Sequence, residues 1–322
     1  MAAAGVPRGS AAARPGVEHA ASSSLWRRFH ARRPLRRCAV KLSLLAAITL
    51  LVLFPDPRHF VLLLHRLAHL DALIDPDAPQ LRPLEDEVRA SLDPQASAAE
   101  ALAVVERVVY ERLPYSWDWE TWGAMEYLPT TREALDMGRE DCDGRAIVAA
   151  ALLRRMGYDA RLVTDVVHMW VRTPEVEMMS PSGFAVTLEV PADGAPARVD
   201  PSSAATNLTR GLAYGVSVFP LERELVILAA VVLLTLHPWI TRRRAAVGVG
   251  LLVVGLAVLR AAGAAAVSGP QAGNPLLMFA VLSSMGSATA GWCVLAFKAG
   301  ARPRRCSPEP PGSPAARAAS RG

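Results

Sequence analysis

Arg139-Glu140-Asp141-Cys142-Asp143-Gly144-Arg145-Ala146 leads into an apolar run that continues to Met156 and stops at Gly157. The spacing predicts a helix over 142–156 with Gly157 just past its end, where a left-handed residue commonly closes a helix. Cys142, Ala146, Ala149, Ala150 and Leu153 share one face of that helix, so the thiol stands at the top of a buried, small-residue stripe. Unpaired N–H groups and the helix dipole at such an end favour a thiolate, the attacking form of cysteine. Asp141 and Asp143 oppose it. After Gly157 the apolar period changes to two: Ala160–Thr164 and Val167–Arg172 are predicted as adjacent strands, with His168 and Trp170 on one face and Met169 and Val171 on the other. A helix thus carries the thiol and a strand carries the imidazole, a rigid two-element mount suited to nucleophilic catalysis. Further strand-like runs lie at Glu175–Ser180, Phe184–Val190 and Ala197–Asp200.

Upstream the chain is helical in pattern. His59–Leu73 has a helical apolar spacing, and Ser97–Leu113 begins with Ser97 and Glu100 in a capping-box arrangement. Tyr115–Tyr127 holds three of the seven Trp, fitting either a loop packed on the core or a cleft wall. His65 and His69 stand at i, i+4, but no Glu follows His65 and no third ligand is evident, so the sequence assigns no metal and no cofactor.

Of the 322 residues 52% are apolar and 20% charged, and the net charge of +5 conceals three unlike regions. Residues 1–41 carry nine basic residues against one acid, 55–224 carry sixteen Arg against twenty-eight acids, and 225–322 carry ten basic residues against one acid. A nucleic-acid-binding protein would not concentrate acid in its main polar segment, so that class is excluded. Four Cys are too few for a disulfide scaffold. Apolar runs at 39–54, 225–240, 245–267 and 276–297 are read as transmembrane helices, because a hydrocarbon core of about 30 Å needs roughly 20 apolar residues. Basic residues precede the first run, separate the second from the third and follow the fourth. The positive-inside rule then places both termini in the cytoplasm and 55–224 outside. Leu53-Phe54-Pro55-Asp56 offers no small-x-small cleavage site, so the first run is taken as an anchor rather than a signal peptide. The tails, 1–38 and 298–322, are rich in Ala, Arg, Pro, Ser and Gly and are expected to be disordered. Arg260 within the third run is expected to snorkel or find a carbonyl partner, and Ser283, Ser287 and Gly291 to pack the fourth helix within its own bundle. Cys38 and Cys306 flank the spans and Cys293 lies in one, which leaves Cys142 as the only thiol of the outer segment.

Taken together, Tyr115, Trp122-Gly123, Pro129, Thr131-Arg132-Glu133-Ala134-Leu135, Gly138, Asp141-Cys142-Asp143, Gly157-Tyr158-Asp159-Ala160-Arg161 and His168-Met169-Trp170-Val171 resemble the transglutaminase-like, papain-related superfamily of cysteine enzymes, in particular bacterial transglutaminase-like domains. The resemblance covers about Ala98–Asp200. It implies an α+β, papain-like core inserted between transmembrane helices, with Cys142 as nucleophile, His168 as base and an Asp shortly after the His. Two positions depart from the family pattern. Glu140 stands where a Gly is usual, and Ser180 precedes Pro181 where an Asp is expected. The next Asp-Pro is Asp200-Pro201, so Asp200 is assigned as the third residue, with Ser180 and Asp165 as alternatives. The expected function is a membrane-anchored thiol enzyme acting on amide bonds of a protein or peptide outside the bilayer. A binding or scaffold module that retained the fold is the alternative.

Overall fold

The computed structural model describes residues 34–93, 95–165, 168–180, 188–190, 198–199, 201–238, 240–267 and 275–297. It is mostly helical, with one small antiparallel sheet. In chain order the elements are α1 (Pro34–Leu53), α2 (Pro57–Leu67), α3 (Arg82–Ser91), α4 (Ala98–Arg112), α5 (Asp118–Thr121), α6 (Thr131–Met137) and α7 (Cys142–Arg155). The sheet follows, as β1 (Arg161–Thr164), β2 (Met169–Arg172), β3 (Glu177–Met178), β4 (Leu188–Val190) and β5 (Arg198–Val199). The chain closes with α8 (Pro201–Val218), α9 (Leu221–Thr235), α10 (Arg242–Val267) and α11 (Pro275–Ala296).

The core is built on α7. Ala146 through Leu153 are all buried, which explains why this helix has no polar face: α4 and α6 pack on it along with β1 and β2. Gly157 has φ +94°, the left-handed conformation expected after the helix end. The predicted capping box at Ser97 and Glu100 is present, and Thr130 with Glu133 forms a second one at the start of α6. The strands run in the order β3-β2-β1-β4-β5, all antiparallel, with Thr164 opposite Met169 in the β1–β2 register. This register puts His168 at the head of β2, beside the tip of the hairpin.

Two helices are long and apolar enough to cross a membrane, Arg242–Ala265 and Leu276–Ala296. A third span results if Leu35–Leu53 and Pro57–Leu67, bent by 83° to one another, count as one. The run expected at 225–240 folds instead as α9, over Leu221–Thr235. Its 15 residues rise only about 22 Å, less than the hydrocarbon thickness. The small residues at the α10–α11 contact act within the bundle. A Cβ on Gly291 would lie 2.7 Å from the Gly248 carbonyl oxygen, and the Ser287 hydroxyl donates to the Leu251 carbonyl at 2.9 Å.

Helix α8 packs on α10, so closely that a Cβ on Gly263 would collide with the Ala213 carbonyl. Arg260 of α10 holds the C-terminus of α8. Its guanidinium donates to Val216 O at 2.9 Å, Ser217 O at 3.1 Å and Phe219 O at 3.1 Å, and pairs with Glu224 Oε2 at 2.6 Å. A cation at the negative end of a helix, with a carboxylate beside it, offsets the cost of keeping the charge among apolar helices.

Candidate active site

Asp141 caps α7: its Oδ1 accepts the Asp143 backbone N–H at 3.0 Å, which fixes Cys142 as the first helical residue. A parallel bridge between Tyr115 and Glu140 brings the aromatic segment alongside the cysteine loop, with Ser116 N donating to Glu140 O at 3.2 Å. Cys142 and His168 line the same cleft, of about 460 Å³, together with Tyr115, Trp117, Met125 and Tyr214. The aromatic segment is therefore a cleft wall. Trp117 stacks on Trp119 with centroids 4.8 Å apart and lies edge-on to Tyr115 at 5.1 Å. Helix α8, absent from the sequence reading of the site, supplies the facing wall: Tyr214 is hydrogen-bonded to Tyr115, and Gly211 and Gly215 lie beside it in the cleft. The four-residue spacing of those glycines was the available signal.

The imidazole is held by three groups. Asp165 Oδ1 accepts the His168 backbone N–H at 2.7 Å, so Asp165 fixes the main chain at the hairpin tip. The ring lies nearly parallel to Trp170 at 6.2 Å, the two residues sharing a face as the strand period predicts. Its Nε2 lies 2.9 Å from the Met179 carbonyl oxygen. A carbonyl can only accept, so Nε2 carries the proton and Nδ1 of the neutral ring is left as its basic nitrogen. Met179 reaches this position with φ +59°, the only positive φ of a non-glycine residue among the described residues. Such a conformation costs roughly 1–2 kcal/mol, strain concentrated at the group that orients the ring. The Ser180 hydroxyl hydrogen-bonds to Glu177 and not to the ring. Asp200 lies outside the described residues.

The charge around the thiol reverses the expectation drawn from the helix end. Burial pushes Cys142 well above the usual thiol range, and the nearby Asp143 and Asp141 push it further. The Met169 backbone N–H, bonded to the sulfur, works the other way without offsetting them. The half-buried sulfur accordingly rests as a thiol, donating to Asp143 Oδ1 at 3.5 Å. The helix dipole is outweighed because two carboxyl groups flank the sulfur in surroundings that water does not screen.

Beneath the thiol sits an acidic cluster. Oxygen atoms of Asp118, Glu140 and Asp141 all lie within 4.8 Å of one another, and all three residues are buried. Asp118 Oδ1 and Glu140 Oε2 have no hydrogen-bond partner. Desolvation, with the neighbouring Asp141 and Asp143, raises Asp118 to about 10. Desolvation raises Glu140 to about 8 against a hydrogen bond from Trp122 Nε1. Burial drives Asp141, and Glu126 beside the cluster, well upward too. Three carboxyl groups at this spacing could hold a hard divalent cation through oxygen; otherwise they remain largely protonated. Glu140 fits because of Gly144, where a Cβ would meet its Oε2 at 2.5 Å and its Cδ at 2.6 Å.

Residues 83–190 match the family model of the transglutaminase-like superfamily. The matched stretch runs from α3 through β4, and contains Cys142, His168 and Met179 but neither Asp200 nor α8. No curated protein matches the chain.

Proposed function

We propose, from the premise that residues 83–190 form a transglutaminase-like superfamily domain, that this chain is a membrane-anchored thiol enzyme that cleaves or exchanges amide bonds. The observation that carries the reading is the 2.9 Å contact of His168 Nε2 with the Met179 carbonyl oxygen, in the cleft that also holds Cys142. With Nε2–H committed to the Met179 carbonyl, Nδ1 is the nitrogen available in the cleft to take the Cys142 proton as the sulfur attacks a substrate carbonyl. The same nitrogen then returns the proton to the departing amine. Water hydrolyses the resulting thioester, or a second amine takes the acyl group. A thiol that rests protonated makes this base indispensable, since no preformed thiolate is at hand. The orienting role assigned to Asp200 falls to the Met179 main chain.

The intermediate gives the test. Acid quenching during turnover of peptide amides should trap an acyl adduct on Cys142 that hydroxylamine removes, and Cys142→Ala should carry none. A wild-type protein that turns over no amide and carries no adduct would establish the scaffold module instead.

For the membrane, the proposal keeps both termini cytoplasmic and the cleft outside, on the strength of basic residues at Arg242–Arg244 and beyond Lys298. Helix α9 then enters the bilayer without crossing it alone and reaches the inner surface with the segment 236–241. A reporter inserted after Thr164 should behave as exported and one at Arg244 as cytoplasmic; the reverse pattern at either site defeats this orientation.

A further inference from the structure

A second cavity, of about 530 Å³, lies among the helices of the bundle, walled by Leu53 of α1, Ile227 and Leu228 of α9, Leu256 of α10 and Met285 of α11. Its lining is almost wholly apolar. Three residues, Met125, Gly211 and Gly215, line both this cavity and the cleft of Cys142 and His168. The two spaces thus adjoin along these three residues, two of which have no side chain. A Cβ on Gly215 would meet no atom of another element within 4 Å, so nothing from the neighbouring helices packs against the wall there. The loop bearing Met125 is tied to the bundle by Met125 N donating to Leu53 O at 2.8 Å and by Arg223 Nη1 donating to Gly123 O at 3.3 Å.

We infer that the two spaces form one site for an amphiphile, and that the substrate is a long-chain fatty amide whose acyl chain fills the bundle cavity and whose carbonyl lies at Cys142. This deepens the thiol-enzyme reading and rests on it. The chain belongs to the acyl group itself because the cavity shares wall residues with the cleft, so the apolar space begins where the cleft of Cys142 ends. Each further buried methylene should raise affinity about fourfold, so chain length should set affinity. Aromatic residues lining the cleft, Trp117, Trp119 and Tyr115, suit a site at the membrane surface. In the reaction Cys142 Sγ bonds to the acyl carbon, the C–N bond breaks, and the amine leaves with the thiol proton passed through His168. Water then splits the thioester into fatty acid and free thiol. The carboxyl groups of Asp118, Asp141 and Asp143 on the polar side accept hydrogen bonds from the departing amine.

The test uses the full chain in phosphatidylcholine nanodiscs at pH 9 and two alkylating probes, N-ethyl- and N-hexadecyl-iodoacetamide, with labelling of each cysteine followed by mass spectrometry. Cys293 in α11 reports how far the longer probe is merely concentrated by the bilayer. The hexadecyl-to-ethyl rate ratio at Cys142, divided by the ratio at Cys293, should be at least about tenfold. Leu256→Trp and Leu228→Trp, each filling the cavity from a different helix, should bring it towards one. A normalised ratio of one in the wild type, or no labelling of Cys142 by either probe, overturns the inference. Turnover of short amides with a ratio of one would keep the thiol enzyme and remove the chain site, whereas a high ratio without any turnover would keep the chain site and remove the enzyme.

Discussion

Cys142→Ala and His168→Ala should each abolish amide turnover, with losses on the order of 10⁴-fold or more in kcat, as for thiol and hydroxyl nucleophiles that depend on a base. The two losses should not add, because the thiol has no activated form without the imidazole and the imidazole has no proton to take without the thiol. The informative member of the series is Asp200→Asn. If the Met179 carbonyl holds Nε2–H, a main-chain atom does the orienting and this substitution should leave kcat within about threefold of wild type. A loss on the order of 10⁴-fold with unchanged KM would instead restore Asp200 as the orienting carboxylate. Met179→Gly provides the complementary check, since it retains the carbonyl and relieves the positive φ, and should keep most of the turnover.

The second large effect is on stability against pH. Glu140 is raised in the folded protein to about 8, from an ordinary value of 4.5. Between those values the folded chain holds a proton that the unfolded chain has released, so stability falls as pH rises through this window. Asp118, raised to about 10, extends the decline to higher pH. The thermal midpoint, measured with a chelator present so that no divalent cation neutralises the cluster, should therefore drop from pH 5 to pH 9. Glu140→Gln removes one titrating group while its amide oxygen keeps the Trp122 bond and its NH₂ can donate to the neighbouring carboxyls. It should raise stability at pH 9 by on the order of 3 kcal/mol and flatten the profile. A wild-type midpoint that rises over this range, or a variant less stable at pH 9, would show that the cluster is not held protonated.

The parts of the fold legible in the sequence were those encoded by local period and local chemistry. The change from a helical to an alternating pattern at Gly157 marks α7 and the β1–β2 hairpin, and Ser97 with Glu100 marks the start of α4. Cys142 and His168 follow from these elements. The place of α8 was not legible, because its contacts are with α10 and with Tyr115, both remote in sequence. Nor was the partner of the imidazole, since a main-chain carbonyl leaves no residue type to recognise. Residue identity pointed first to Asp200, which lies outside the described residues, and then to Ser180 and Asp165, of which one bonds to Glu177 and the other to the His168 main chain. The state of the thiol is illegible for a different reason. Dipole and flanking carboxyls were both visible, but their balance depends on how much water reaches them.

Glu140 and Gly144 carry a consequence for which substitutions the chain tolerates. The Glu140 side chain occupies the volume that any larger residue at 144 would need. A chain with glycine at 140, as in the pattern this one resembles, leaves that volume open and tolerates a Cβ at 144. With glutamate at 140, any side chain at 144 displaces the Glu140 carboxyl group from its place. The two positions are therefore coupled: a Cβ at 144 requires the Glu140 side chain to move, so a larger residue at 144 should cost less stability once position 140 is small.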